Sequence, residues 1–376
     1  MPFGREGLHD GIGLALSGSG FRAALFHLGA LRRLTELGIL TKLDRISSVS
    51  GGAIVAGRLA EVWGALAADP DVATFERLVG DPIRAFCDRS IDLPAILKAA
   101  ANPFSSAGEM LEEAYAKGLM TKSLDGLPDH PVFIFNATNM QTGRNFRFSK
   151  RYMGDWRIGL LPAPLVPMAR AVAASSALPP FFSPVTLRHP GPFAAVEGAD
   201  LNNTPAYTQQ IRLADGGIYD NLGLETVWKR CKTVLVSDAG AHFQPDPKPG
   251  RDWLSQAMRS YAIAADQSRA LRKRWLIDQF SAETAENGQA RSGTYWGLET
   301  QIAHYGLEDC LPCNPQVTRG LARLRTRLNH FTDREKGMLI NFGYALTDAA
   351  VRRHTPELTE GHIMPAIWPY PAYALG

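Results

Sequence analysis

The sequence predicts an α/β fold: three layers, α/β/α, around a mainly parallel central sheet, with a helical insert. Two observations carry this. The chain opens with two consecutive strand–loop–helix units, and further β-type runs return after a helix-rich stretch. The bulk properties agree. A hydrophobic fraction of 45% beside 20% charged residues is ordinary for a globular chain, and 376 residues suffice for a large core.

Residues 12–16 (IGLAL) read as a buried strand, followed by Ser17-Gly18-Ser19-Gly20. A helix is predicted over about 21–37, because Phe21, Leu25, Leu28, Leu31 and Leu34 recur at helical spacing and Gly38 is suited to end it. Residues 43–49 form a second strand-like run, Ser50 marks a turn, and a second helix follows over about 52–66. Residues 67–128 look helical with breaks at Pro70, Pro82, Pro94 and Pro103, and are expected to form the insert. Strand patterns return at 132–138, 211–214 and 233–237, whereas 186–210 reads as loop. The run 252–280 is helical and basic, with Arg269, Arg272, Lys273 and Arg274 expected on a solvated face. Leu321, Leu324, Leu328 and Phe331 look like a helix stripe facing the core. The expected organisation is one domain over 1–376, its core at about 11–240 and a helical C-terminal region at about 250–376.

A net charge of +3 is too small to imply a nucleic-acid partner, though it is compatible with an anionic membrane surface. Four cysteines are too few for a disulfide scaffold, which points to a reducing, cytoplasmic compartment. Cys310-Leu-Pro-Cys313 lacks the second pair that a structural zinc site wants, so no metal and no cofactor are expected. There is no signal-length apolar stretch and no run of about 18 apolar residues, so contact with lipid is expected to be peripheral. Oligomeric state is left open.

Three segments carry chemistry. Ser50 sits in Ser48-Val49-Ser50-Gly51-Gly52, between a strand run and a helix run. This fits a strand–turn–helix nucleophile motif, G-x-S-x-G, with Ser48 in place of the first glycine; a plain Gly/Ser turn is the competing reading. Gly18-Ser19-Gly20-Phe21-Arg22-Ala23 fits G-x-G-x-x-A, a dinucleotide fingerprint. That fingerprint wants an acidic residue ending the next strand, where Ser50 stands instead. The other use of such a loop is to aim backbone N–H groups at an oxyanion. For a base, none of the nine histidines lies in a recognisable motif, His27 included. Asp215 is the better candidate, because an apolar strand ends there in Asp215-Gly216-Gly217. An aspartate at a strand's end can act as base once burial and contact with the hydroxyl offset its weak basicity.

Together these segments resemble the glycine-rich loop, nucleophile elbow and D-G-G motif of patatin-like phospholipases. Ala174-Ser175-Ser176-Ala177-Leu178-Pro179-Pro180 resembles the family's A-S-S-A-x-P segment. Asn136-Ala137-Thr138 with Thr142-Gly143-Arg144 resembles the strand and turn before it, and 325–346 resembles the C-terminal region of bacterial members. The resemblance implies a fatty-acyl ester hydrolase acting on phospholipid or lysophospholipid. Ser50 would be the nucleophile and Asp215 its base. N–H groups of Gly18, Ser19 and Gly20 would form the oxyanion hole, and Arg22 would fix the loop or meet a phosphate. Gly51, Gly52, Gly216 and Gly217 would support the two turns. Two positions depart from the pattern: Ser19 replaces the middle glycine of the loop and Ser48 the first glycine of the elbow. A positive φ at Ser19 would strain it by about 1 kcal/mol. The stretch 67–128 and Phe181-Phe182 are candidates for an acyl pocket, with ordinary core as the alternative. A histidine-based esterase, a nucleotide-binding protein and a catalytically silent lipid-binding module are the rival readings.

Overall fold

The computed structural model describes residues 8–91, 107–182, 184–240, 243–280, 291–359 and 364–376. Among them one ten-stranded sheet runs in the order β10-β9-β1-β2-β3-β4-β5-β6, with β8 pairing β3 and β7 pairing β8. Strands β1 (His9–Leu16), β2 (Leu43–Ser48), β3 (Val132–Asn139), β9 (Cys231–Asp238) and β10 (Ser292–Gly297) are mutually parallel. The remaining strands pair antiparallel: β4 (Arg144–Phe148), β5 (Tyr152–Asp155), β6 (Gly159–Pro162), β7 (Val185–Arg188) and β8 (Gln210–Asp215). The α/β class is as predicted, and the parallel half carries the opening units. The antiparallel half was not anticipated. Its connections, such as 140–143 between β3 and β4, are too short for a parallel crossover.

The longer helices are α1 (Gly20–Glu36), α2 (Gly51–Ala68), α3 (Ala107–Gly118), α4 (Met168–Ser176), α5 (Trp253–Phe280) and α6 (Asp333–His354). Helix α1 is buried nearly all round. It lies between the sheet and α6, which explains why its apolar positions spread beyond one stripe. Gly38 takes the left-handed conformation just past α1 (φ 65), ending it as expected. Across the α1–α6 contact, Arg33 bonds Asp348 at 2.7 Å and Glu36 at 2.7 Å, all three buried.

Several expectations need correction. The stretch 186–210 is not all loop, because β7 pairs with β8 and Pro205–Thr208 makes a helical turn. Leu321, Leu328 and Phe331 are core residues, but not one helix stripe. The helix Pro315–Ala322 holds Leu321 but stops before Leu328 and Phe331, where the chain is held by bonds from Ile91 N to Leu328 O and from Phe331 N to Cys87 O. Thr332 then opens α6 with a reciprocal capping box to Glu335. The region after 250 is not purely helical, since β10 extends the parallel edge beside β9. In the helical stretch after α2, residues 92–106, with Pro94 and Pro103, lie outside the described residues. Its described side chains Phe75, Val79, Ile83, Phe86, Leu111 and Tyr115 belong to the main core.

Candidate active site

The site lies where β1 and β2 end. In a parallel sheet, adjacent strand–loop–helix units present both loops at the carboxyl edge, and here these are 17–19 and Ser50. Asp215 arrives by register. Ser48 of β2 pairs Phe135 of β3, and two residues further along β3 Ala137 pairs Asp215. β4 holds the other side of β3, so β8 fills the place β2 vacates when it turns. Its last residue therefore comes level with Ser50.

Ser50 adopts φ 49, ψ −116, the strained backbone of a nucleophile elbow. It is buried, and its N–H donates to Ser175 Oγ at 2.9 Å, which in turn donates to Asn136 O at 2.6 Å. The tight turn needs Gly51: a Cβ there would lie 2.0 Å from the Gly20 carbonyl oxygen. Gly52 N–H closes the turn on Val49 O at 2.8 Å. Ser48, in place of the family's glycine, is accommodated with its hydroxyl on Ile134 O at 3.2 Å.

Asp215 is buried too, and its carboxylate accepts from Gly217 N–H at 2.7 Å. Burial pushes its pKa up from the ordinary carboxylate value to about 6, while the Gly217 N–H bond and the neighbouring Ser50 hydroxyl oppose the rise. Its backbone is pinned by Asp215 N to Ala177 O (3.0 Å), Gly216 N to Ser175 O (3.2 Å) and Thr138 Oγ1 to Asp215 O (2.8 Å). The Ala174–Phe182 segment thus holds both the elbow and the aspartate.

The glycine loop differs from expectation at one donor. Gly18 N–H is engaged with Asn221 O at 3.0 Å, so it does not face the cavity as a free donor. Among the described residues, Ser19 and Gly20 N–H have no acceptor. Ser19 takes φ 150, ψ 45, the strained conformation its serine was expected to suffer. Arg22 compensates. Buried beneath the loop, it donates to Ser19 Oγ at 2.8 Å, Ala239 O at 3.0 Å and Leu324 O at 2.5 Å. Burial lowers its pKa to about 10, so it stays charged at neutral pH. Its guanidinium is turned to these carbonyls and to Ser19 Oγ, which braces the loop from beneath.

Ser19, Gly20, Ser50, Asp215 and Gly217 border one cavity of about 540 Å³. Leu178, Phe181, Phe182, Ala262, Ala265 and Leu328 form its apolar walls, and Arg259 and Arg327 also line it. Phe181 and Phe182 are placed as anticipated, whereas no described residue of 67–128 reaches this cavity. The basic run on α5 also departs from a solvated face. Arg269 is buried against Asp238 (3.4 Å), and Arg272 reaches buried Asp220 (3.4 Å).

Among the described residues no histidine lines the cavity. His27 is fully buried, its ring nitrogens on Ser237 Oγ (2.8 Å) and Ser17 O (2.9 Å). Burial drives its pKa down to about 4, keeping it neutral. His242 lies outside the described residues. Sequence reasoning passed over Ser175, Asn221, His27 and Arg327 as site-builders. Only Ser175 and Asn221 had a signal, lying inside or beside the motif segments.

No sequence among the curated proteins matches the chain. Among solved structures, human GIVD cytosolic phospholipase A2 bound to methyl γ-linolenyl fluorophosphonate and terbium chloride superposes with a TM-score of 0.51 at 13% identity. That match covers 94% of this chain and 59% of the human one. A second structure of the same human protein gives 0.51 at 12% identity, covering 94% and 61%. VipD from Legionella pneumophila gives 0.41 at 17% identity, covering 94% and 67%. This chain therefore spans about three fifths of the human phospholipase structures and shares their fold. The family model for patatin-like phospholipases matches residues 14–228, more than half of the chain and both the Ser50 and Asp215 turns, so the chain belongs to the patatin-like phospholipase family.

Proposed function

We propose that this protein hydrolyses fatty-acyl esters of phospholipids or lysophospholipids through a Ser50–Asp215 dyad. The observation that carries the reading is Ser50 on a strained elbow beside a desolvated aspartate, both bordering one apolar-walled cavity. Asp215 takes the Ser50 proton as Oγ attacks the ester carbonyl. The oxyanion that forms is met by the Ser19 and Gly20 N–H groups, at the positive end of α1. The alcohol leaves with a proton from Asp215. Water, deprotonated by the same carboxylate, then cleaves the acyl-enzyme and regenerates Ser50. No cofactor or metal has a step in this scheme. The acyl-chain substrate is supported by the family and by the fold relative that binds a linolenyl fluorophosphonate. The walls of Leu178, Phe181, Phe182 and Leu328 suit such a chain.

The rival readings fare worse. A histidine triad finds no histidine in the cavity lining among the described residues. His242→Ala, which the dyad reading expects to be mild, tests the one histidine outside them that adjoins lining residues in sequence. Dinucleotide binding at the first loop meets an occupied helix terminus, since Phe21 N–H already donates to Arg327 O at 3.1 Å. The test is turnover of a chromogenic fatty ester and of phospholipid vesicles by Ser50→Ala and Asp215→Ala. Both are expected to lose about 10⁴-fold or more in kcat. Full activity in either overturns the dyad. Labelling by a fluorophosphonate, lost only in Ser50→Ala, scores the nucleophile independently. Lipid binding without ester cleavage by the wild type would favour the silent module.

A further inference from the structure

Helix α5 has more apolar surface outside than inside. Of its 28 residues only Arg269 and Leu276 are buried. Trp253 is 78% exposed, Leu254 47%, Ile263 46% and Leu271 59%. Trp253, Ala257, Ala264, Leu271 and Trp275 recur every four or seven residues, which keeps them on one side of the helix. That side is turned away from Arg269 and Leu276. Within a globular core such a stripe would find a partner. Towards its C-terminal end α5 packs on its neighbours, and Trp275 lies tilted against Trp228 with ring centroids 4.3 Å apart, so the part of the stripe left open runs from Trp253 to Leu271.

The position of the helix says what it meets. Its inner side supplies Arg259, Tyr261, Ala262, Ala265, Asp266 and Arg269 to the wall of the cavity holding Ser50. On another wall, Phe181 is 46% exposed. Exposed apolar side chains therefore border the cavity on more than one side. The charge is also uneven. Residues 246–280 carry seven basic against four acidic side chains, and of the basic ones Arg269 and Arg272 are held inward by Asp238 and Asp220. Lys248, Arg251 and Arg259 gather around a shallow hollow at the start of the helix.

We propose that α5 is a membrane-docking element, its exposed stripe seating in the interface of an anionic lipid surface and bringing the cavity to the bilayer. Exposed tryptophan and leucine beside lysine and arginine are side chains that favour the interface of an anionic bilayer. No helix among the described residues is long and apolar enough to cross a membrane. A second copy of this chain fits the face less well. The middle of the stripe is Ala257 and Ala264, which offers no large knobs, and two basic helices would oppose each other. The proposal rests on the lipid-ester reading for the nature of the surface, and its test is separable from that reading.

The experiment is sedimentation of the full chain with vesicles of phosphatidylcholine alone and of phosphatidylcholine mixed with phosphatidylserine. It is run in a Ser50→Ala background, so that turnover plays no part. Binding is expected to favour the anionic vesicles. The combined Trp253→Ser, Leu254→Ser and Leu271→Ser variant should lose at least about tenfold in partitioning. Arg251→Gln and Arg274→Gln should each lower binding to the anionic vesicles about fivefold while leaving binding to phosphatidylcholine unchanged. With Ser50 restored, turnover of a soluble monomeric ester should be the same in the apolar variant as in the wild type, which scores fold and chemistry separately. Three results would overturn the proposal. These are wild-type chain that sediments with neither vesicle, an apolar variant that binds as the wild type does, and a dimer in solution that the apolar variant dissolves.

Discussion

At the scale of single residues, Asp215 sets both a pH profile and a stability. Its pKa of about 6 lies above the ordinary value of 3.8. In the proposed mechanism Asp215 is the base and must be ionised, so kcat/KM on a soluble ester should fall about tenfold per pH unit below 6 and level off above it. A profile that stays flat down to about pH 4.5 contradicts the assignment. The same raised pKa means that the unfolded chain ionises more readily than the native one. The contribution of this one group to stability is therefore intact at low pH and lost as pH rises from about 4 through 6. Asp215→Asn keeps an acceptor for Gly217 N–H but carries no charge. It should be inactive yet more stable by about 2–3 kcal/mol at pH 7.5, the gain shrinking towards pH 4 in urea titrations. Ser19 makes a second test. Ser19→Ala keeps the strained φ and loses the bond to Arg22, a cost of about 2 kcal/mol. Ser19→Gly loses that bond but releases about 1 kcal/mol of strain, so its urea midpoint should fall between those of Ser19→Ala and the wild type. These residue roles were legible in the sequence wherever a motif marked them. Ser50 and Asp215 each stand beside glycines, whereas Arg327 and His27 have no local signature.

At the scale of elements, the α1–α6 contact is the joint on which the oxyanion loop depends, because α1 starts at Gly20. Two close approaches make it. A Cβ on Gly29 would fall 1.9 Å from the Ile340 carbonyl oxygen, and one on Gly343 equally near that of Phe26. The buried Arg33–Asp348 pair then locks the crossing. Asp348→Ala leaves Arg33 buried with a carboxylate removed, and should cost about 3–5 kcal/mol in denaturant unfolding. A conservative hydrophobic change on exposed α5 should cost less than about 0.5 kcal/mol. The opening strands and helices were readable to within a few residues, because apolar runs and helical periodicity are local signals. β7 and β10 escaped notice because each is short. Gly293 and Gly297 also dilute the β pattern of β10. The 321–331 segment was misread because its burial comes from distant partners, Ile91 and Cys87, and not from its own periodicity.

At the scale of the whole molecule, the family match ends at 228 but the core does not. Leu339, Leu346, Val351 and Leu375 share one apolar cluster with Leu14, Phe26 and Ile46, and β10 covers the flank of β9. We propose that 1–376 folds as one cooperative unit. A chain truncated after residue 240 should then lack a cooperative thermal transition and be digested rapidly by protease, while the full chain shows one transition. A stable, cooperative 1–240 fragment would refute this. Local chemistry determined the α/β class, the two carboxyl-edge turns and the identities of Ser50 and Asp215, because hydrophobic period and glycine-flanked turns are written in neighbouring residues. Tertiary structure alone decided which amides remain free for an oxyanion. Gly18 is spent on Asn221, some 200 residues away in the chain, while Ser19 and Gly20 are left open. It also decided that Arg22 turns inward and that α5 keeps an apolar face outside, since hydrogen bonding and burial are settled between segments and not within them.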